Sequence, residues 1–369
     1  MKPNNFFKVA AIIAAATVGD GIFALPYVFS RAGWLLGLFY LAGLGALVVL
    51  AHTVYLKTIE KVGEKERLLG LARRYLGPAG FWTGFVAIVV GLFLTLVAYL
   101  ILGTQFVRLL VPSHSILYPL LLVWVFTSLT VILNDAGVVK LELMGIGFSS
   151  VIIIFIFVAA WPHITFSGIP AVNPKEFFLP FGTVLFALAG WTGIEPAYES
   201  REKSGWRREP WRALALGTGL AALLSVMFAA GIIGSASAIT PDTASGLALW
   251  PVWKRDVFAV LGLLAVWTVF MPLSREIKNS LEKDLGWSKL VSRSALIMLP
   301  LALVLAGFNN FLVVVGLVGG LFLSTQYLLI ISVGRRALSL PRVQNFFLDL
   351  VAALFVLAAI YSIWLFIVK

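Results

Sequence analysis

The sequence contains no cysteine and only three histidines among its 369 residues. Without thiols the chain forms no disulfide, presents no thiolate nucleophile and offers no cysteine-rich metal site. Charged residues are also scarce, at 12%, whereas hydrophobic residues make up 60%. Soluble domains normally carry about a quarter of charged residues, so this chain is too apolar to be one. The composition therefore predicts a membrane protein whose main partner is the lipid bilayer.

Signatures of catalysis are missing as well. No G-x-x-x-x-G-K-[ST] P-loop occurs, which argues against ATP-driven pumping by this chain. No serine–histidine–acid constellation is legible. The histidines lie on different segments near the ends of predicted spans, and we expect interfacial or loop residues rather than a metal site: His52, His114 and His163. Nothing in the sequence indicates an enzyme, a metal, an organic cofactor or an obligate protein partner.

Apolar runs recur along the whole chain. A helix needs roughly 20 apolar residues to cross a bilayer. This criterion predicts eleven spans, at about 6–29, 33–56, 81–111, 116–133, 141–161, 177–200, 213–233, 257–272, 294–308, 311–333 and 343–368. The segment 57–77 mixes basic residues with leucines and is predicted to be an amphipathic interfacial loop. The first run follows two lysines as in a signal peptide, but it continues too far, and we expect an uncleaved helix.

The net charge of +11 follows from the predicted topology. With a cytoplasmic N-terminus, the eleven spans place 22 of the 28 lysines and arginines on the cytoplasmic side. This excess matches the positive-inside tendency of membrane proteins. We therefore expect a cytoplasmic N-terminus, an external C-terminus and no nucleic-acid partner. The compactness of the chain favours the plasma membrane of a prokaryote.

Two of the predicted spans are interrupted at their centres. The first contains TVGDGIFALP at 17–26, and the sixth contains GWTGIEP at 190–196. Glycine and proline weaken a helix, and unpaired backbone groups at membrane depth are tolerated only where protein or a cavity meets them. The two breaks are five spans apart, so their helices cross the membrane in opposite directions. Matching broken helices in inverted halves are typical of a secondary transporter with its site at the midplane.

The chemistry of such breaks suits a small zwitterion. Half-helix N-termini offer free N–H groups and positive dipole ends to a carboxylate. Unwound carbonyls can hold an ammonium group or a coupling cation. Asp20 lies within the first break, where an intramembrane acid is a functional candidate by default. A cap for the second half of that helix is the alternative role.

These motifs resemble a known family. GDGIFALPYVFSRAGWLLG, at 19–37, resembles the first-helix signature of the amino acid/auxin permease family, within the amino acid–polyamine–organocation superfamily. GWTGIEP resembles the superfamily's sixth-helix break, and WTVFMPLSREIKNSLEKDLG, at 267–286, resembles the family's helix 8 and its outgoing loop. The resemblance implies an all-α, leucine-transporter-like fold with inverted repeats at about 6–161 and 177–333 and a peripheral helix at 343–368. It also implies ion-coupled uptake of an amino acid.

The resemblance further implies a set of substrate-binding residues. The backbone of the first break would receive the substrate carboxylate or amine, and the sixth helix would complete the pocket. By match to the motifs the set is Thr17, Gly19, Asp20, Gly21, Ile22, Tyr99, Ala189, Gly190 and Trp191. Tyr99 is equally well explained as a packing aromatic. Tyr99 and Trp191 would suit an apolar or aromatic amino acid, whereas Asp20 would admit a cationic one.

The sequence gives weaker grounds for choosing between protons and sodium as the coupling ion. Sodium-coupled relatives usually place two neighbouring hydroxyl residues of helix 8 against carbonyls of helix 1, but here Thr268 is followed by valine. Sodium needs about five or six oxygens, so the missing hydroxyl favours protons. Asp20 would carry the proton or balance an amine, and Glu195 is either a second protonation site or a structural acid. Sodium-coupled symport or exchange, an uncoupled channel and a non-transporting amino acid sensor are the alternatives.

Overall fold

The computed structural model describes residues 4–18, 20–63, 67–112, 115–132, 138–204, 210–236 and 238–368, and these ranges contain helices and no strand. The α-helices are α1 (Asn4–Thr17), α2 (Leu25–Ala32), α3 (Trp34–Val62), α4 (Leu68–Phe85), α5 (Gly91–Leu110), α6 (Leu117–Ile132), α7 (Val138–Ala160), α8 (Leu179–Leu188), α9 (Ile194–Ser204), α10 (Trp211–Ser235), α11 (Val252–Asn279), α12 (Lys289–Leu305), α13 (Phe311–Leu317), α14 (Ser324–Ala337) and α15 (Arg342–Val368).

Shorter helical pieces connect or interrupt these elements. In the described ranges five are 3₁₀ turns, at Asp20–Ala24, Trp161–His163, Pro174–Glu176, Trp191–Gly193 and Ala244–Leu247. Three are π-helical, at Val86–Val90, Ser280–Asp284 and Val318–Leu323. π-Helical turns are rare and often lie at functional sites. Two of the three, 86–90 and 318–323, pack against each other in the interior of the bundle.

The helices agree with a multi-pass membrane protein. Within the described ranges, six helical runs are long and apolar enough to cross a bilayer, or seven if the bent pair at 5–17 and 21–32 forms one span. The other predicted spans correspond to α6, α7, the broken pair α8 with α9, and α12. The all-helical membrane architecture predicted from composition is confirmed.

The segment 57–77 is not the interfacial loop that its charges predict. Helix α3 continues to Val62, and α4 begins at Leu68 and is interrupted only at Gly77, where φ is 73°. The leucines of this segment explain the difference. Leu68 and Leu71 are fully buried against the bundle, so their spacing reflects one face of a packed helix.

The predicted end of the eighth span at Pro272 is also wrong. Helix α11 runs through this proline to Asn279 and continues as a π-helix to Asp284. A proline removes one backbone donor, but a long packed helix can bend and continue. The Ser274 hydroxyl donates to the Phe270 carbonyl at 2.8 Å in the same turn. Residues 274–284, predicted to form a charged connection, therefore extend the helix toward its charged end.

The prediction for His52 fails for a related reason. Because α3 is longer than the predicted second span, His52 lies well inside it and is 0% exposed. Its Nε2 lies 3.2 Å from the Tyr327 hydroxyl of α14, so it joins two helices of the core. His163 lies on an exposed 3₁₀ turn, as expected, and His114 falls outside the described residues. Within the described ranges no three histidine or acidic side chains are grouped as a metal site requires.

Glycines let helix α8 cross the π-helical segment 318–323 at close range. A Cβ added to Gly319 would overlap the carbonyl oxygen of Gly182. Small residues at helix crossings allow such backbone approach and favour packing in membranes. The crossing anchors α8, which ends at the second predicted break.

We expect Gly319→Ala to destabilise the protein by about 1–3 kcal/mol, because the added methyl must push two backbones apart. Thermal unfolding in detergent measures the effect as a lower Tm. Gly316→Ala is the matched control, since a Cβ at that neighbouring position meets no atom within 4 Å. Equal Tm values for the two variants would contradict the close crossing.

Candidate functional site

The structure interrupts both helices where the sequence predicts it. Helix α1 ends at Thr17, and a 3₁₀ turn resumes at Asp20 before α2. Helix α8 ends at Leu188, Ala189 is extended with φ −74° and ψ 101°, and a 3₁₀ turn follows at Trp191–Gly193. Each break therefore leaves backbone N–H and C=O groups without their helical partners.

The two breaks lie against each other. A Cβ on Gly190 would overlap the Thr17 side chain, and one on Gly193 would lie 2.6 Å from the Cβ of Ala16. On the other side of the break, a Cβ on Gly21 would lie 2.9 Å from the backbone of Ala187. Glycine is needed at these positions because the facing chains leave no room for a side chain. The free backbone groups of both helices thus meet in one place.

A cavity of about 350 Å³ borders this junction. Helices α1, α5, α9, α11 and α14 contribute to its wall. The wall includes five of the residues predicted from the sequence: Thr17, Tyr99, Ala189, Trp191 and Glu195. The Thr17 hydroxyl is buried and has no hydrogen-bond partner among the described residues. A concave site with a few convergent polar groups is the usual form of a small-molecule site.

The other predicted residues have different positions. Gly190 touches Thr17 behind the cavity wall, and Gly21 packs between the two broken helices. Ile22 is 2% exposed and packs in the hydrophobic core. Gly19 and the side chain of Asp20 lie outside the described part of the structure.

Thr268 is buried in α11 and does not belong to the cavity wall. Its hydroxyl donates to the Ala265 carbonyl at 2.9 Å, within its own helix. The next residue, Val269, reaches the wall with an apolar side chain. The described helix α11 therefore presents no pair of hydroxyl groups to the cavity at this level.

An aromatic cluster lies beyond one end of the junction. Phe23, Phe106, Phe228 and Phe258 are all buried, and their rings meet edge to face with centroids 5.1–6.2 Å apart. The Thr243 hydroxyl, from the loop before α11, donates to the Phe23 carbonyl. None of these residues belongs to the cavity wall. The cluster packs the turn Asp20–Ala24 against α5, α10 and α11.

Charged side chains also line the cavity. Arg67, at the start of α4, forms an ion pair with Glu276 of α11, and its Nε lies 4.0 Å from the Glu195 carboxylate of α9. The buried Tyr55 hydroxyl of α3 donates to Glu195 at 2.9 Å. One arginine therefore stands between two carboxylates that belong to different helices.

The Arg67 guanidinium stays cationic in this setting. Burial favours its neutral form, but the carboxylates of Glu276 and Glu195 outweigh burial and raise the pKa of Arg67. A fixed positive charge beside Glu195 makes the attraction between these two groups depend on the protonation of the carboxyl. The contact between Arg67 and Glu195 can therefore respond to protonation of Glu195.

The family comparison fits this geometry. The model described as transmembrane amino acid transporter protein matches residues 2–234. The chain belongs to this family. The family resemblance read from the first-helix motif is thereby confirmed, whereas no protein of curated function matches the chain.

Solved structures share the fold of this transporter family member. MhsT in complex with L-phenylalanine matches with a TM-score of 0.69 at 13% identity, covering 97% of this chain and 99% of that one. The Eremococcus coleocola manganese transporter, in complex with an aromatic bis-isothiourea compound, matches with a TM-score of 0.68 at 13% identity, over 97% and 86% of the two chains. Its H236A mutant gives 0.67 at 14% identity, over 97% and 85%. The predicted leucine-transporter-like fold is confirmed.

Sequence reasoning missed several polar residues of the site. The sequence pattern predicts a loop around Arg67 and a connection around Glu276, because it underestimates the lengths of α4 and α11. Gln326 of α14 also lines the cavity. A buried glutamine within an apolar span is itself a signal, since polar side chains at membrane depth need a partner or a role.

Proposed function

We propose that this chain is a proton-coupled amino acid symporter of a prokaryotic plasma membrane that works by alternating access. The observation that carries the proposal is the junction of two broken helices at the wall of a cavity of about 350 Å³. Free N–H groups at the start of the turns after each break are suited to a carboxylate, and the carbonyls that end α1 and α8 are suited to an ammonium group. An amino acid presents both groups on one carbon.

The position of the charged residues suggests which side of the membrane the cavity faces. The charged residues of the cavity belong to segments that the positive-inside count assigns to the cytoplasm, and the buried phenylalanine cluster lies outside the cavity wall. We interpret this arrangement as an inward-facing state. In the outward-facing state the aromatic cluster would separate and the charged groups would draw together.

Protons are favoured over sodium by the surroundings of two residues. The Thr268 hydroxyl points to a carbonyl of its own helix and has no hydroxyl neighbour at residue 269, which leaves few oxygen ligands for sodium. Glu195 instead lies in the cavity wall beside Tyr55 and Arg67. We assign the coupling proton to Glu195 and the substrate amine to Asp20, a residue of the first break.

The contacts of Arg67 with Glu195 and Glu276 let a proton change the positions of the helices. An ionised Glu195 attracts Arg67 and draws α9 toward α4 and α11. A proton on Glu195 removes that attraction and leaves Arg67 to Glu276, its nearer partner in this structure. Protonation therefore favours the open inner end, and release of the proton inside favours its closure.

Uptake by proteoliposomes tests the proposal. A labelled amino-acid mixture is supplied under an inward proton gradient or an inward sodium gradient, each with a collapsing ionophore as control. We expect accumulation that follows the proton gradient and disappears when it collapses. Accumulation driven only by sodium would move the coupling site to Thr268 and the α1 carbonyls. Flux that never exceeds equilibrium would indicate a channel, and ligand binding without flux would indicate a sensor.

A further inference from the structure

Gln326 has an orientation fixed by its hydrogen bond. The side chain is 1% exposed, and its Nε2 donates to the Ala87 carbonyl at 2.7 Å. The bonded atom must be the amide nitrogen, because a carbonyl accepts and does not donate. The amide oxygen of Gln326 therefore faces away from Ala87.

The surroundings of the Gln326 amide oxygen are unusual for a polar atom. It is buried and has no hydrogen-bond partner within the described ranges, although Gln326 lies in the cavity wall. Buried polar atoms nearly always find a partner, and each exception calls for an explanation such as a functional role. The explanation that fits a cavity wall is a donor supplied by the bound molecule.

The hydrogen bond between Gln326 and Ala87 lies where two π-helical segments meet. Ala87 belongs to the π-helical segment Val86–Val90, and Gln326 follows the π-helical segment Val318–Leu323. These two π-helical segments pack against each other. A Cβ on Gly91 would lie 2.8 Å from the Phe322 Cβ, so a glycine is needed for this close approach. Two π-helical turns at one contact mark a specialised region.

Gln326 comes from other helices than the groups suited to the amino acid's main chain. The breaks of the first and sixth spans form one wall, at Thr17 and Ala189, whereas Gln326 belongs to the wall formed by α5 and α14. A ligand with its carboxylate and ammonium at the breaks has only its side chain left to contact that second wall. Among the described lining residues of α5, 318–323 and α14 there is no carboxylate, so a cationic side chain finds no partner there.

We infer that Gln326 selects the substrate by accepting a hydrogen bond from its side chain, so that the substrate is a neutral amino acid whose side chain ends in a hydroxyl or a primary amide. The inference rests on the proposed function. A site built around a hydrogen bond to the substrate strongly rejects the analogue that lacks the donor, because the site's polar group is then left unpaired.

Pairs of similar shape test this inference on the unmodified protein. Binding and uptake are compared for serine against alanine, threonine against valine, and asparagine against leucine. We expect the donor-bearing member to be preferred by at least about tenfold in one or more pairs. Equal affinities within every pair, or preference for the apolar member, would overturn the role of Gln326 while leaving amino acid transport intact. If no amino acid binds or is taken up, the proposed function fails instead.

Variants link the preference to this residue. Gln326→Met should bring the ratio within the preferred pair close to one, because the acceptor is lost while the volume is nearly kept. Gln105→Met makes the same change on α5 outside the cavity wall and should keep the wild-type ratio. A Gln326→Met variant that folds and retains the full preference overturns the assignment. If that variant does not fold, the comparison on the unmodified protein still decides the inference.

Discussion

Glu195→Gln is expected to abolish proton-driven accumulation of the substrate while leaving substrate exchange intact. The amide keeps the size of the side chain and can still bond the Tyr55 hydroxyl, which donates to Glu195 at 2.9 Å. It cannot take up or release a proton. With one proton per substrate, a gradient of about one pH unit sustains about tenfold accumulation. In the variant the internal concentration should stop at the external one.

Two companion variants separate the coupling role from a general loss of activity. Glu199→Gln changes an acid one turn further along α9 that also lines the cavity but pairs with Lys203 at the surface, and it should accumulate substrate normally. Asp20→Asn should weaken substrate binding if Asp20 holds the amine. If Asp20→Asn alone abolishes accumulation while exchange continues, the proton belongs to Asp20, as the sequence alone favoured. Accumulation by Glu195→Gln equal to wild type would remove Glu195 from the mechanism.

The sequence is informative about the centre of the molecule because the features there are local. Glycine and proline act on the helix that contains them, so the breaks near Asp20 and Gly190 could be located without any partner. Apolar run length similarly predicts spans. The first-helix motif then indicated the family, and the family indicated the fold.

The polar contacts could not be predicted because they depend on distant segments. Arg67 and Glu276 are more than two hundred residues apart, and they meet only because α4 starts early and α11 runs past Pro272. His52 and Tyr327 are 275 positions apart and meet inside the core. A proline or a charge in the sequence marks where a helix could end, but tertiary packing decides whether it does.

Gly190→Ala is expected to weaken substrate binding by at least about tenfold. The φ of Gly190 is −123°, which any residue adopts, so the backbone itself permits alanine. The added Cβ would however overlap the Thr17 hydroxyl and force the two breaks apart. Overpacking of this kind costs about 1–3 kcal/mol, and about 1.4 kcal/mol is a factor of ten in affinity. Equilibrium binding of the amino acid identified in the uptake assay measures the effect.

A double variant distinguishes separation of the breaks from loss of a glycine as such. Thr17→Ala removes the atom that the new Cβ meets first, so Gly190→Ala should cost less in that background than alone, a non-additivity expected of residues in contact. Gly219→Ala on α10 is the control, since its Cβ meets nothing within 4 Å. If the two changes add independently, Thr17 and Gly190 do not hold the breaks together. Recovery of the affinity in the double variant would instead show that binding depends on how closely the two broken helices approach. Both the carboxylate and the ammonium of the substrate require that close approach.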